Sequence, residues 1–145
     1  MTTRSFESVS AGDALDDLVI PITRTLIVAG ALASRDYQDV HHDPVLSKER
    51  GSPDIFMNIL TTNGLVGRYV TDWSGPGGFL KKVDIRLGAP NYPDDTMTLR
   101  GSVTETTIDE ADPVRGVVSV RLTGSNSIGD HVVGTVLVSL PRGDV

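Results

Sequence analysis

The sequence predicts an α+β fold in which an antiparallel sheet wraps around one long central helix. Three observations support this prediction: one long stretch has helical periodicity, several later segments are rich in β-branched residues, and turn residues separate those segments. Residues 1–145 are expected to form a single domain, because chains of this length usually do. Hydrophobic residues make up 39% of the chain, which is enough for a core.

The N-terminal part is predicted to contain a strand followed by a short helix. Residues 18–26 indicate the strand, and Pro21 places it at a sheet edge or near the end of the strand. Residues 27–37 are apolar and small and indicate the helix, with Thr25 as a candidate N-cap. Proline and glycine then indicate an irregular connection over residues 44–53.

The long helix is predicted over residues 54–73. Its apolar side chains recur at steps of three and four through about five turns, which is typical of an amphipathic helix. Asp54 is the expected N-cap. Gly64 and Gly67 lower the helix propensity, which suggests that something packs very closely against this turn.

The rest of the chain is predicted to form strands. Four segments rich in β-branched residues are separated by Gly, Asn, Asp and Pro: 79–87, 96–108, 115–125 and 131–140. In the first of them Lys81 interrupts the apolar alternation. A long apolar helix followed by a meander is expected to be wrapped by its sheet, and the order of elements resembles the hot dog fold. The unpaired edge strand of such a sheet favours dimerisation.

Composition and charge exclude several classes of function. The net charge is −6 and no basic cluster exceeds two adjacent residues, so neither a nucleic-acid nor a membrane partner is expected. No apolar run approaches the roughly 20 residues of a membrane-spanning helix, and the first residues lack the apolar region of a secretory signal. The chain has no cysteine, which excludes disulfides and thiolate chemistry and favours a cytoplasmic location.

The segment ASRDYQDVHHDP, residues 33–44, is rich in aspartate and histidine, whose side chains titrate. Asp36 and His41 are five residues apart, between a short helix and an irregular loop, so a turn of the chain can bring both to one small object. A water molecule is small enough to contact both side chains. An Asp/His pair that accepts hydrogen bonds from both hydrogens of a water makes that water a better nucleophile, and the pair can return a proton afterwards.

The start of the long helix is the second candidate element. Its first backbone N–H groups have no intrahelical partners, and the helix dipole makes this end positive. Asn58 lies in or just after that turn, so its N–H is a candidate donor to a developing oxyanion, such as a thioester enolate. A water activator beside an oxyanion hole is what the addition of water to an enoyl thioester requires.

The segment SRDYQDVHHDP resembles the motif S-G-D-x-N-P-x-H-x-D-P of MaoC-like (R)-specific enoyl-CoA hydratases, which have the hot dog fold. By this resemblance Asp36 and His41 correspond to the catalytic aspartate and histidine. The segment IFMNIL resembles I-x-H-G-M-L, which places Asn58 where the oxyanion-hole glycine stands. Among the departures, Arg35 replaces a small residue, and the Asn58 side chain could crowd the thioester.

The stretches RDYQDVHHD, DIFMNIL and GLVGRYVTDW are most similar to the small subunits of actinobacterial steroid side-chain hydratases. This resemblance implies a steroid enoyl-CoA substrate and a second MaoC-like subunit, in a heterodimer or heterotetramer, with the bulky acyl group between the two subunits. It implies no metal or redox cofactor, since CoA arrives as part of the substrate. The product would be a 3-hydroxyacyl-CoA.

Two other functions stay open at this point. A hot dog acyl-CoA thioesterase would also use a carboxylate and a helix-end oxyanion hole, and a non-catalytic scaffold subunit would leave the chemistry to its partner. A metal site would need ligands from the same acidic loop, but the spacing matches no standard metal signature. Asp39 and Asp43 are predicted to be turn and cap residues, and His42 an exposed or structural one.

Overall fold

A five-stranded antiparallel sheet is the frame on which the helices lie. The computed structural model describes residues 2–143, so residues 1, 144 and 145 of the predicted domain lie outside the described part. In chain order the elements are β1 (Ala14–Ile22), α1 (Arg24–Ala33), α2 (Pro44–Glu49), α3 (Ile59–Ser74), β2 (Phe79–Leu87), β3 (Asp95–Ile108), β4 (Arg115–Ser125) and β5 (Asp130–Pro141). Single 3-10 turns lie at Phe6–Ser8 and Asp39–His41.

The strand order in the sheet is β1-β3-β4-β5-β2, and every neighbouring pair is antiparallel. The edge position predicted from Pro21 is confirmed, because this proline lies in β1 at one edge of the sheet. The other edge is β2. Helix α3 contacts β2, β5 and β1, and its buried face carries Val66, Tyr69 and Val70 at helical spacing. Burying each such side chain contributes roughly 1.5–3 kcal/mol.

The long helix begins at Ile59 and not at Asp54 as predicted. Residues 54–58 are not helical, and Asn58 has extended backbone angles. The Phe56 N–H donates to the Val40 carbonyl, and the Met57 N–H donates to the Asn91 carbonyl. The apolar residues at the start of the predicted periodicity therefore belong to a non-helical segment that is buried by its neighbours. Local spacing could not distinguish the two conformations.

Two predicted helix caps are also wrong, each by a short distance along the chain. The N-cap of α1 is Thr23 and not Thr25, since its side chain accepts from the Leu26 N–H at 3.0 Å. The N-cap of α3 is Asn58, and Asp54 instead forms an ion pair with an arginine of α1. Both helices begin where a side-chain oxygen can reach the free N–H groups of the first turn.

Lys81 interrupts the alternation of β2 because the strand has a β-bulge there. The register against β5 shifts between Leu80 and Lys82, and Lys81 forms an ion pair with Asp109. Before the bulge Leu80 faces the core, and after it the inward positions begin at Val83. An extra residue in one strand reverses which face the following side chains point to.

The close packing predicted at the glycines of α3 is found at a different glycine. Among the described residues, a Cβ added at Gly64 would meet no atom within 4 Å, and one at Gly67 would make only an ordinary 3.5 Å contact with Leu80. The tight approach is at Gly30 in α1, where an added Cβ would overlap the side chain of Thr61. Helices α1 and α3 are therefore closest at Gly30.

Acidic solution is expected to destabilise the protein through the buried His131. The Nδ1 of this histidine is 2.7 Å from the Ala89 carbonyl oxygen, and its Nε2 is 2.9 Å from the Thr62 hydroxyl. Burial lowers the pKa of His131 below 6.5, and the bond to Ala89 opposes this. The unfolded chain therefore takes up the proton more readily. This contribution to stability is fully present above pH 6.5 and is lost as the pH falls towards the folded pKa.

The measurement is urea unfolding of the wild type and His131→Gln at about pH 7.5 and about pH 5.5. The variant is expected to be less stable at both pH values but to lose less stability between them. Equal losses for the two proteins would contradict the assignment.

Candidate active site

The end of α1 determines where Asp36 lies. The Asp36 N–H donates to the Ala31 carbonyl at 2.9 Å, and the Arg35 N–H donates to the Leu32 carbonyl at 3.1 Å. Together with the left-handed backbone of Arg35 (φ 57°), these two bonds form a Schellman motif, in which Asp36 is the second residue past the cap. The Asp36 backbone is therefore held by the helix that precedes it.

Arg35→Gly is expected to stabilise the protein by about 0.5–1 kcal/mol. A side chain in the left-handed region costs about 1–2 kcal/mol, and the greater freedom of glycine in the unfolded chain offsets part of that gain. The change would raise the urea midpoint without changing the slope of the transition. A lower midpoint would mean that the arginine side chain makes a stabilising contact that outweighs the strain of its backbone.

His41 is oriented by the non-helical segment before α3. Its Nδ1 is 2.7 Å from the Phe56 carbonyl oxygen, and its ring packs edge-on against the Phe56 ring with centroids 5.1 Å apart. A carbonyl oxygen only accepts, so Nδ1 carries the hydrogen, and in the neutral ring Nε2 has the free lone pair. This Nε2 is 3.3 Å from Asp36 Oδ2, and the His41 and Asp36 side chains are 8% and 20% exposed.

Asn58 connects Asp36 to the first turn of α3. Its amide nitrogen donates to Asp36 Oδ2 at 3.1 Å and to the Ser34 hydroxyl at 2.9 Å. Its amide oxygen accepts from the Thr61 N–H at 3.0 Å and from the Thr61 hydroxyl at 2.5 Å. The side chain therefore caps the helix with its oxygen and contacts Asp36 with its nitrogen.

The pKa of the Asp36 carboxyl is lowered, chiefly by the hydrogen bond from the Asn58 amide. Burial opposes this effect, and the Gln38 N–H and His41 add to it. Asp36 is therefore a carboxylate at neutral pH. A carboxylate oxygen and the Nε2 of a neutral His41 are both acceptors, so their close approach is suited to a shared donor such as water, which has two hydrogens to give.

The structure brings together the three predicted site residues, Asp36, His41 and Asn58. Within residues 2–143 the backbone N–H of Asn58 has no hydrogen-bond acceptor, as expected of the residue before a helix. The interpretation from sequence did not include the contact of the Asn58 side chain with Asp36 or the orientation of His41 by the Phe56 carbonyl. The preference of asparagine for N-cap positions could have indicated the helix cap, whereas nothing local indicates these two contacts.

The neighbouring polar residues have structural roles. Asp43 caps α2 by accepting from the N–H groups of the first turn, which confirms the predicted cap role. Asp39 begins the 3-10 turn Asp39–His41, as predicted, and forms a 2.7 Å ion pair with Arg50. His42 is exposed, as predicted. In the described part of the chain no group of three or more His, Asp or Glu side chains is arranged to hold a metal ion.

An apolar groove of about 360 Å³ lies between α1 and α3. It is open to solvent and lined by Gly30, Ala33, Ser34, Leu60, Thr61, Gly64 and Leu65. Ser34 belongs both to this groove and to the hydrogen-bond network of Asp36, so the groove begins beside the candidate site. The apolar side chains of Leu32, Ile59 and Leu60 are about half exposed in this region of the chain.

Comparison with solved structures shows the class of fold. A MaoC-like dehydratase from Rhodospirillum rubrum aligns with a TM-score of 0.81 at 20% identity, covering 96% of this chain and 97% of its own. The (R)-hydratase of A. caviae involved in PHA biosynthesis aligns with a TM-score of 0.80 at 19% identity, covering 93% and 99%. The protein thus has the hot dog fold of MaoC-like proteins, which confirms the predicted fold class.

Comparison by sequence shows the family. The chain is 46% identical over 129 residues to the 3-oxo-4,17-pregnadiene-20-carboxyl-CoA hydratase beta subunit of Mycobacterium tuberculosis, covering 89% of this chain and 95% of the relative. The crystal structure of the ChsH1-ChsH2 complex from the same organism contains a chain that aligns with a TM-score of 0.82 at 45% identity, covering 90% and 98%. No model of a protein family matches the chain.

The chain therefore belongs to the MaoC-like hydratase family, as its motifs predicted. No helix among residues 2–143 is long and apolar enough to cross a membrane.

Proposed function

We propose that this chain is the catalytic subunit of a heteromeric enoyl-CoA hydratase in steroid side-chain degradation. The observation that carries the proposal is the convergence of the two side chains, since Asp36 Oδ2 lies 3.3 Å from the His41 Nε2, which has a free lone pair in the neutral ring. A scaffold subunit would not need this arrangement. The family membership supports the reaction class, and the geometry supports placing the chemistry on this chain.

The proposed reaction adds water across the double bond of the enoyl thioester. Asp36 and His41 accept the two hydrogens of the water, and its oxygen bonds to the β-carbon while one proton passes to the pair. The π electrons of the double bond form a new double bond between the α-carbon and the carbonyl carbon, and the π electrons of the carbonyl move to its oxygen. There the Asn58 N–H and the positive end of α3 stabilise the negative charge. The pair then delivers a proton to the α-carbon, which completes a 3-hydroxyacyl-CoA.

The proposed substrate is a steroid enoyl-CoA with a shortened side chain. The relative at 46% identity is named as a hydratase of 3-oxo-4,17-pregnadiene-20-carboxyl-CoA, which has a polycyclic acyl group. The groove beside Ser34 is apolar and begins at the candidate site, which suits such a group. CoA is part of the substrate, and the reaction as proposed needs no metal or redox cofactor.

A second MaoC-like subunit is the proposed partner, in a heterodimer or heterotetramer. The groove is an open surface feature, so this chain alone would leave a polycyclic group largely in water. The edge strand β2 and the half-exposed apolar residues near the groove leave surface for another subunit to cover. The structural relative at 45% identity was crystallised as a complex of two proteins.

The test offers the purified chain, alone and with a coexpressed MaoC-like partner, two acyl-CoA compounds that share one polycyclic acyl group. One compound is α,β-unsaturated and the other is saturated. The expected result is loss of enoyl absorbance with the unsaturated compound, no release of free thiol from either, and higher activity with the partner. Release of free thiol from both compounds without loss of enoyl absorbance would instead show a thioesterase.

A further inference from the structure

The Asn58 side chain has only one orientation that satisfies its neighbours. The Thr61 N–H at 3.0 Å can only donate, so the atom that faces it is the amide oxygen. The amide nitrogen consequently faces Ser34 and Asp36. Asn58 is 2% exposed, and both hydrogens of the nitrogen as well as the oxygen are engaged. A buried amide bonded in this way on both sides is a rigid connection between two segments.

The two segments that Asn58 connects are the ones that carry the candidate chemistry. On one side Asp36 follows the end of α1, and on the other side the first turn of α3 is capped. The oxygen of Asp36 that accepts from Asn58 is the same Oδ2 that faces His41. A movement of the Asn58 amide would therefore change the distance between Asp36 and His41.

We propose that the Asn58 side chain is a positioning residue that holds the Asp36 carboxylate against His41 and ties it to the N-terminus of α3. This inference rests on the proposed hydration by Asp36 and His41. It concerns the side chain, which is separate from the backbone N–H proposed for the oxyanion. The glycine at this position of the motif that the chain resembles has no side chain and could not form this connection.

Few charged or polar groups act on Asp36 besides Asn58. Of the described residues, the Gln38 N–H lies 3.4 Å from its other oxygen, and His41 is the titratable group beside it. Removal of the Asn58 donor is therefore expected to raise the pKa of Asp36, because burial then acts with less opposition.

Asn58→Ser separates the two roles of the side chain. Serine is a good N-cap, so the cap of α3 is kept, but its hydroxyl does not reach Asp36 as the amide does. We expect kcat/KM for the enoyl-CoA to fall by about 10- to 100-fold with secondary structure and assembly unchanged. In a plot of kcat/KM against pH, the acid limb should move to higher pH. Asn58→Asp keeps the shape and the cap oxygen but faces Asp36 with a second carboxylate, so the limb should move further.

Thr23→Ala is the matched control. It removes an N-cap from α1 and with it a comparable part of the stability, but it does not contact Asp36. Its acid limb should coincide with that of the wild type. A shift of the limb in this control equal to that in Asn58→Ser would overturn the proposal, since lost stability would then explain both.

A readout independent of activity is the titration of the Asp36 carboxyl carbon by NMR in the full chain. A titration of Asn58→Ser that coincides with the wild type overturns the proposal whatever the activity. A titration shifted to higher pH supports it. If Asn58→Ser shows that shift but the wild-type chain has no hydratase activity with its partner, the proposed function fails while the contact between Asn58 and Asp36 stands.

Discussion

Asp36→Asn and His41→Asn are each expected to lower the rate of hydration by about 10²- to 10⁴-fold, the range that a positioned general acid or base contributes. The asparagine at position 36 cannot accept a proton from water, and the one at position 41 has no titratable nitrogen near pH 7. Because the two side chains are proposed to act on one water, the double variant should lose little more than either single variant. The measurement is the loss of enoyl absorbance with the partner subunit present.

The same loop provides matched controls for both substitutions. Asp39→Asn changes a carboxylate that is paired with Arg50, and His42→Asn changes an exposed histidine next to His41. Both controls should keep near wild-type rates and the same assembly by size-exclusion chromatography. Near wild-type rates for the Asp36 and His41 variants would instead favour the scaffold subunit and remove the basis of the proposed function.

Two glycine-to-alanine changes in neighbouring helices are expected to have opposite effects. Gly64→Ala should raise the stability by about 1 kcal/mol, because alanine is the better helix former and its Cβ would meet no atom of the described residues within 4 Å. Gly30→Ala should lower the stability by about 1–3 kcal/mol, as expected of overpacking. Its Cβ would overlap the Thr61 side chain, whose hydroxyl is held by Asn58 at 2.5 Å.

The Gly30 substitution should also affect the candidate site. Displacement of Thr61 or of α1 would move Asn58 and Asp36, and a misplacement of about 1 Å can cost about 100-fold in rate. Urea unfolding gives the stability, and the hydration assay gives the rate. Stabilisation by Gly30→Ala comparable to that by Gly64→Ala would mean that the two helices separate without cost, which would contradict the tight contact at Gly30.

The last four strands were the part of the fold that could be predicted most closely. The first strand was predicted four residues too late, at 18–26 and not Ala14–Ile22, and the helix after it at 27–37 and not Arg24–Ala33. β2 and β4 have the predicted bounds, 79–87 and 115–125, and β3 and β5 differ from their predictions by one residue at the ends. Alternation and turn residues are local signals that the final sheet does not change. The short helix α2 was missed, although Asp43 followed by Pro44 is a typical helix start, because the glycine and prolines after it suggested a loop.

The candidate site could be predicted only as a set of residues. Asp36 and His41 follow from the motif, but their distance depends on the Schellman motif at Arg35 and on the Phe56 carbonyl that orients the histidine. Phe56 is 15 residues from His41 in the chain. No spacing rule connects a loop histidine to a backbone carbonyl of a later segment.

By itself the sequence determined the α+β class, the order of the strands and of the helices α1 and α3, the family and the two candidate catalytic side chains. These depend on periodicity and on short motifs, which are properties of neighbouring residues. Only the tertiary structure decided that α3 begins at Ile59 and that the Asn58 side chain binds Asp36. The start of a helix and the direction of a buried amide depend on which donors and acceptors of distant segments still need a hydrogen-bond partner. Only folding brings those groups together.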